Sequence, residues 1–282
     1  MRTLVHISDT HILPTADDRL HGVDTLHNLQ AVLQHVVDSG TRPDALVVSG
    51  DLANGGELES YRRLRHELDT YAERLGSELV VAIGNHDLRP TFRQAMLDGP
   101  PTAEPVEYVR WIGGLRLIVL DSSVPGAAYG EVRPQQLAWL ASELSTPAAE
   151  GSVLVMHHPP VPDPGPLAGL LAVHRANELE AVVRGSDVVA VLAGHAHHAI
   201  TAAFGGAFCY AAPATAYTVD ALQLANCTLR GVQGSGFGLV RVFDGRAVAL
   251  TVSMPTAGHE TYRQELSGEV LQRLNGEATV AA

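Results

Sequence analysis

The chain of 282 residues is 46% hydrophobic and 18% charged, which suits a packed globule and excludes a disordered one. Its net charge of -12 argues against a long electrostatic track for nucleic acid, although bound cations would invert the sign locally. No apolar run approaches bilayer length and no signal-peptide pattern opens the chain, while Cys209 and Cys227 stand far apart, so a reducing cytoplasm is the expected setting.

Residues 3–8 predict a first strand that leads into Asp9-Thr10-His11 and a loop to about Asp24. Leu26, Leu29, Leu33, Val36 and Val37 then recur at helical spacing, and Asp38-Ser39-Gly40 supplies a stop. A second strand at 45–49 ends at Gly50-Asp51. After Asn54-Gly55-Gly56 a helix carries Leu58, Tyr61, Leu64, Leu68, Tyr71 and Leu75 on one face, which is read as core. A third strand at 79–83 runs into Gly84-Asn85-His86-Asp87. Strands alternating with helices imply right-handed crossovers and a mostly parallel sheet, with ligands at the carboxyl ends of the strands. The class is α/β.

Beyond Pro100-Pro101 the pattern changes. Residues 106–111 and 115–120 flank Gly113-Gly114 as a hairpin, and Asp121-Ser122-Ser123 reads as a structural cap rather than a substrate contact. A helix over 135–144 is entered through Pro134. Strand 153–156 delivers His157-His158-Pro159-Pro160, where the prolines end the element, and loop 159–169 is a candidate pocket wall, as are loops 15–24 and 125–131. A helix near 178–183 precedes strand 188–193 and Gly194-His195-Ala196-His197. Segments 199–204, 207–210, 236–243 and 247–253 read as an antiparallel second layer of the same domain. That domain spans 1–259, and 260–282 is expected to be a solvated or mobile tail.

The apolar runs at 3–8, 45–49, 79–83, 153–156 and 188–193 each deliver Asp, Asn or His at the end. The collected donors are Asp9, His11, Asp51, Asn85, His157, His195 and His197. Oxygen and nitrogen donors without thiolate suit Mn, Fe or Zn. Seven exceed what one tetrahedral ion needs and suit two ions about 3.5–4 Å apart that share a carboxylate, for which Asp51 is the natural bridge. Asp9/His11 and His195/His197 are i,i+2 pairs, which in an extended segment point the same way. Two ions lower the pKa of a shared water and polarise a phosphoryl oxygen, which leaves the departing oxygen in need of a proton. His86 is the candidate donor, since imidazoles titrate near neutral pH. His158 stands as an alternative to His157. Asp87 either caps the following helix or braces His86, and Gly50, Gly84 and Gly194 suggest close backbone approach at the site. The remaining histidines, including His6 and His21, are read as surface or core residues.

The ordered blocks Asp-x-His, Gly-Asp, Gly-Asn-His-Asp, His-His-Pro and Gly-His-x-His resemble the calcineurin-like metallophosphoesterase superfamily over about residues 1–255. In finer detail Asn85-His86-Asp87 and Met156–Pro160 are similar to class III cyclic-nucleotide phosphodiesterases, particularly bacterial cyclic AMP phosphodiesterases. The resemblance implies a four-layer α-β-β-α sandwich of two mixed sheets flanked by helices, an Fe/Mn-type dinuclear centre with Zn as the alternative, and a homodimer. It assigns Asp9, His11 and His197 to one ion and Asn85, His157 and His195 to the other, with Asp51 bridging. His86 would contact the scissile phosphate, and His11, Asp51, Asn85 and His197 would share in substrate binding. The implied reaction is hydrolysis of 3′,5′-cyclic AMP to 5′-AMP by in-line attack of a metal-bridging hydroxide. A broader diesterase acting on glycerophosphodiesters is the alternative. A nuclease is disfavoured by the acidic balance, and a scaffold that has lost catalysis is disfavoured by the complete donor set.

Overall fold

Long apolar strands flanked by amphipathic helices can bury both faces only if sheets and helices stack in layers. The computed structural model, which describes residues 1–161, 171–224, 226–254, 260–265 and 268, shows that arrangement. The first half comprises β1 (Arg2–Ile7), α1 (Thr25–Asp38), β2 (Ala45–Ser49), α2 (Leu58–Leu75), β3 (Glu78–Ala82) and α3 (Arg89–Met96). The centre comprises β4 (Tyr108–Ile112), β5 (Leu115–Val119), β6 (Gly130–Glu131), α4 (Pro134–Glu143), β7 (Ser152–Val155) and β8 (Val173–His174). Then come α5 (Ala176–Val183), β9 (Val188–Ala193), β10 (Ile200–Phe204), β11 (Ala207–Ala211), β12 (Thr218–Val219) and α6 (Ala221–Leu224). The last elements are β13 (Thr228–Val232), β14 (Gly236–Phe243), β15 (Arg246–Ser253) and β16 (Glu260–Glu265).

Two mixed sheets form the centre, one ordered β15-β14-β1-β2-β3 and the other β10-β11-β9-β7-β5-β4. Between them Leu4, Val47 and Val80 of the first sheet meet Leu117, Val153 and Leu192 of the second. Outside the first sheet, Val5, Leu46 and Val81 pack on Leu29 and Leu33 of α1, Leu64 and Leu68 of α2, and Phe92 of α3. Outside the second, Ile118, Leu154 and Val191 pack on Leu137 and Leu140 of α4 and Leu179 and Val183 of α5. The four-layer sandwich follows from this double burial. Local signals bound the helices: Asp24 accepts the His27 amide at 3.0 Å ahead of α1, and Gly76 closes α2 in the left-handed region at φ 67°.

The late strands depart from the expected antiparallel second layer. β10 and β11 extend the second sheet, where β11 runs parallel to β9. β14 and β15 return to the first sheet, with β14 antiparallel to β1. Hairpin spacing marks local pairs, but the sheet that a hairpin joins depends on long-range pairing. β16 pairs with β13, and β12 completes that small sheet. The remainder of the expected tail, 266–267 and 269–282, and most of loop 159–169, 162–169, lie outside the described residues.

One inward position of β1 is polar. His6 is fully buried and its Nε2 donates to Ser49 Oγ at 2.8 Å, while that hydroxyl donates to Ser8 Oγ at 2.9 Å. Burial pushes His6 down to about 3 from 6.5. The unfolded chain therefore binds a proton below pH 6.5 that the folded chain refuses until about pH 3. This single residue is expected to lower stability by ~1.4 kcal/mol per pH unit below 6.5. In urea titrations of the metal-free protein, His6→Gln should lose less stability than wild type between pH 7 and 5, and equal slopes would refute the account.

Candidate dinuclear metal centre

Five strands end on one side of the sandwich, β1, β2 and β3 from one sheet and β7 and β9 from the other. Each is followed within a few residues by a predicted donor: Asp9 and His11, Asp51, Asn85, His157, and His195 and His197. Sheet stacking brings all seven together, along with His86. The route differs from the extended i,i+2 geometry expected from sequence. Asp9, His11, Asp51, His195 and His197 all have positive φ, between 43° and 70°. The chain turns sharply after each strand, so left-handed backbone, not strand alternation, aims these side chains. Such conformations cost roughly 1–3 kcal/mol each for residues other than glycine and persist only when the surroundings enforce them. Here the enforcement is visible: the amides of Asp9 and His11 donate to the carbonyls of Gly50 and Asp51, and those of Thr215 and Ala216 donate to Ser8 and Asp9.

Glycines permit the approach. A Cβ on Gly50 would lie 2.4 Å from His157 Nδ1, and one on Gly84 would lie 2.2 Å from Asp51 Oδ1. The His157 ring accordingly rests on the β2 turn, where its Nδ1 donates to Ser49 O at 2.9 Å. That bond leaves Nε2 facing the cluster, 3.1 Å from Asn85 Oδ1 and 3.3 Å from Asp51 Oδ2. His197 is oriented in the same way: Nδ1 donates to Tyr217 O at 3.0 Å, and Nε2 lies 3.1 Å from His11 Nε2 and 3.5 Å from Asp9 Oδ1. Two donors on one ion with bonds near 2.1 Å stand roughly 3–3.5 Å apart, so these separations fit shared coordination. The donors fall into overlapping groups, Asp9/His11/His197, Asp9/Asp51/His157 and His157/His158/His195, with ligand atoms in each group within 4.8 Å of one another. His158 reaches the last group, but Ser122 holds its Nδ1 at 2.9 Å, whereas His157 faces both Asp51 and Asn85.

The electrostatics favour cations. Asp9 and Asp51 are both buried. Burial works against ionising Asp51, yet His157, His86 and His11 hold it well below the usual carboxylate range. Burial also opposes charging His157, but Asp51 and Asp9 beside it prevail and push it up to about 9. His195 is driven down to about 3, and His11 well below its usual range, by burial first and then by neighbouring imidazoles. Buried carboxylates that draw positive charge onto His157, beside His11 and His195 kept neutral, make a trap for cations, and the donor set fits two transition-metal ions.

The calcineurin-like phosphoesterase family pattern matches residues 2–199. The chain belongs to that family. It is 45% identical over 260 residues to a cAMP/cGMP dual specificity phosphodiesterase of Mycobacterium tuberculosis, covering 92% of this chain and 80% of that protein. It is 31% identical over 222 residues to a glycerophosphodiester phosphodiesterase of Enterobacter lignolyticus, covering 77% and 78%. Among solved structures, a dimetal phosphatase from Danio rerio shares the fold, with TM-score 0.60 at 14% identity over 94% of this chain and 99% of that one.

In this phosphoesterase Asp87 has a role that differs from the sequence expectation, and Tyr61 has one that adds to it. Asp87 neither caps α3, whose N-cap is Leu88, nor braces His86. Its buried carboxylate accepts from the amides of Leu52, Ala53 and Gly84 at 2.8–3.1 Å and from the Tyr61 hydroxyl at 2.9 Å, tying the Asp51 turn to the Asn85 turn. Burial, then Asp51, raises it to about 6. Tyr61 is a core residue as expected, but its hydroxyl also accepts from the Leu88 amide at 3.0 Å. A tyrosine inside a leucine stripe was the available signal, because a buried phenol needs a partner. Asp121 is structural, as expected, and pairs with Arg89 at 2.8 Å. Tyr217, against the first group of histidines, carried no sequence signal.

Asp87→Ala leaves these donors without an acceptor and should destabilise the protein by about 3 kcal/mol or more, against about 1–2 kcal/mol for Tyr61→Phe. Urea midpoints at pH 7 measure both, and a neutral Asp87→Ala would show that the knot is not structural.

Proposed function

We propose that this phosphoesterase hydrolyses 3′,5′-cyclic AMP to 5′-AMP. The observation that carries the proposal is the convergence of seven buried or half-buried donors beside one exposed imidazole, His86. The 45% identity to a relative named as a cyclic-nucleotide phosphodiesterase supports the substrate class. Asp9, His11 and His197 would hold one ion, Asn85, His157 and His195 the other, and Asp51 both. Bound there, two such ions supply Lewis-acid polarisation of the phosphate and activation of water near neutral pH. An Fe/Mn pair, a homodimer and a cytoplasmic site of action are part of the proposal and rest on the family resemblance.

His86 performs the remaining task. Its Nδ1 donates to Asn54 O at 2.8 Å and its ring stands edge-on to His11 at 4.7 Å. The carbonyl contact occupies Nδ1–H, so it is the imidazolium form of His86 that presents an Nε2–H to the substrate. Its amide donates to Asp51 Oδ1 at 2.9 Å, so the acid and the bridging carboxylate are held in one frame. Water gives up a proton to solvent as its oxygen bonds to phosphorus, the P–O3′ bond breaks opposite it, and the imidazolium Nε2–H delivers a proton to O3′, leaving neutral His86 to be reprotonated from solvent. A second reading, a broader diesterase, is favoured by the similarity to a glycerophosphodiester phosphodiesterase.

Comparing specificity constants of the Mn-reconstituted protein for 3′,5′-cyclic AMP and bis(p-nitrophenyl) phosphate separates the two. A clear preference for cyclic AMP supports the proposal, and turnover of the aryl diester alone moves the substrate elsewhere. His86→Ala should retain both ions by elemental analysis while kcat falls about 10²–10⁴-fold. Full turnover would remove His86 from the mechanism. Chelation should abolish activity, and Mn should restore it.

A further inference from the structure

One exposed histidine outside the donor set is built into the site with unusual care. Leu20 and Val23 exchange backbone hydrogen bonds of 3.0 and 2.8 Å, so His21-Gly22 forms the two-residue tip of a tight hairpin. Both tip residues have positive φ, 50° and 83°. That is the geometry of a type I′ turn, whose first position favours Asn, Asp or Gly. Histidine there holds a left-handed backbone that Asn would adopt with less strain. Strain held by a clamped turn at the edge of a site points to use of the side chain.

The turn aims His21 at a specific surface. Its imidazole stands edge-on to Tyr217, with ring centroids 5.7 Å apart and an interplanar angle of 85°. Tyr217 in turn lies 4.5 Å from the His197 ring and 6.3 Å from the His11 ring. Leu20 packs on the small apolar cluster of Ala216, Tyr217 and Val219, which anchors the turn. A row of rings thus runs from His86 through His11 and Tyr217 to His21, with an exposed imidazole at each end. The His86 end meets the leaving oxygen, and the other end is unassigned.

In a 3′,5′-cyclic nucleotide the phosphate is closed into a ring with the ribose, so the base is the part that extends farthest from phosphorus. A flat π-face with polar edges is suited to stacking on an exposed imidazole. We propose that His21 is a substrate-positioning residue that receives the nucleobase at the mouth of the site, on the side of Tyr217. This rests on the cyclic-nucleotide reading above. A stacked pair elsewhere, Tyr129 and His174 at 4.2 Å and 14°, is the competing platform; it neighbours Gly130, where a Cβ would lie 2.6 Å from His158.

His21→Asn removes the imidazole while preserving the turn, and Tyr129→Ala probes the competing platform. Each Mn-loaded protein is assayed with 3′,5′-cyclic AMP and with methyl p-nitrophenyl phosphate, whose one ring is the leaving group. Metal content is measured in parallel. In His21→Asn the KM for cyclic AMP should rise about tenfold with kcat within about twofold, since a base stack carries that order of binding. The cyclic AMP/aryl diester ratio of specificity constants should fall correspondingly, with two ions per chain retained. An unchanged ratio, a loss confined to Tyr129→Ala, or loss of metal from His21→Asn overturns the role of His21, while wild-type turnover of cyclic AMP keeps the cyclic-nucleotide reading. Wild type that cleaves the aryl diester but not cyclic AMP overturns both.

Discussion

Two carboxylates, Asp9 and Asp51, are buried in one pocket at the junction of two sheets. Buried negative charges that close together cannot persist without compensation, and the surroundings are arranged to provide it. The backbone contributes amides: His195 N donates to both Asp9 oxygens at 3.0–3.2 Å, and His86 N donates to Asp51. Side chains contribute imidazoles, with His157 and His197 held at Nδ1 by carbonyls so that Nε2 faces inward. These contacts offset the charge in part. What they leave is an appetite for cations, and the metallophosphoesterase chemistry of the family depends on it.

Holding that pocket open demands strain, and the fold supplies the force. Five donors have left-handed backbone, each flanked by hydrogen bonds from a neighbouring turn. The knot at Asp87 serves the same end by fastening the Asp51 and Asn85 turns together beneath His86. Layers of Val, Leu and Ile on both faces of each sheet make the strand ends a rigid platform, so small turns can hold large consequences for geometry. His86, Asp51 and Asn85 are thereby placed together without any one loop having to be long.

The divergences between sequence and structure share one cause. Asp9/His11 and His195/His197 reach the cluster, but by turning, because φ at a strand exit is decided by which carbonyl from another segment captures the amide. Asp87 was legible as a polar residue beside a site, but its partners at Leu52, Ala53 and Tyr61 lie 26 to 35 residues away. β14 and β10 both look like hairpin strands, yet one joins the first sheet and the other the second.

The sequence by itself determined that strands and helices alternate, that each central strand exits into Asp, Asn or His, and that the ordered blocks resemble a metallophosphoesterase. These are local properties: an apolar run, a glycine and a polar exit need no distant partner to be recognised. Only the tertiary structure decided that strands from two sheets end together, that His157 rather than His158 faces Asp51 and Asn85, and that Tyr217 lies between His21 and the rings of His11 and His197. Those outcomes depend on stacking two sheets across a shared core, and no window of sequence contains both.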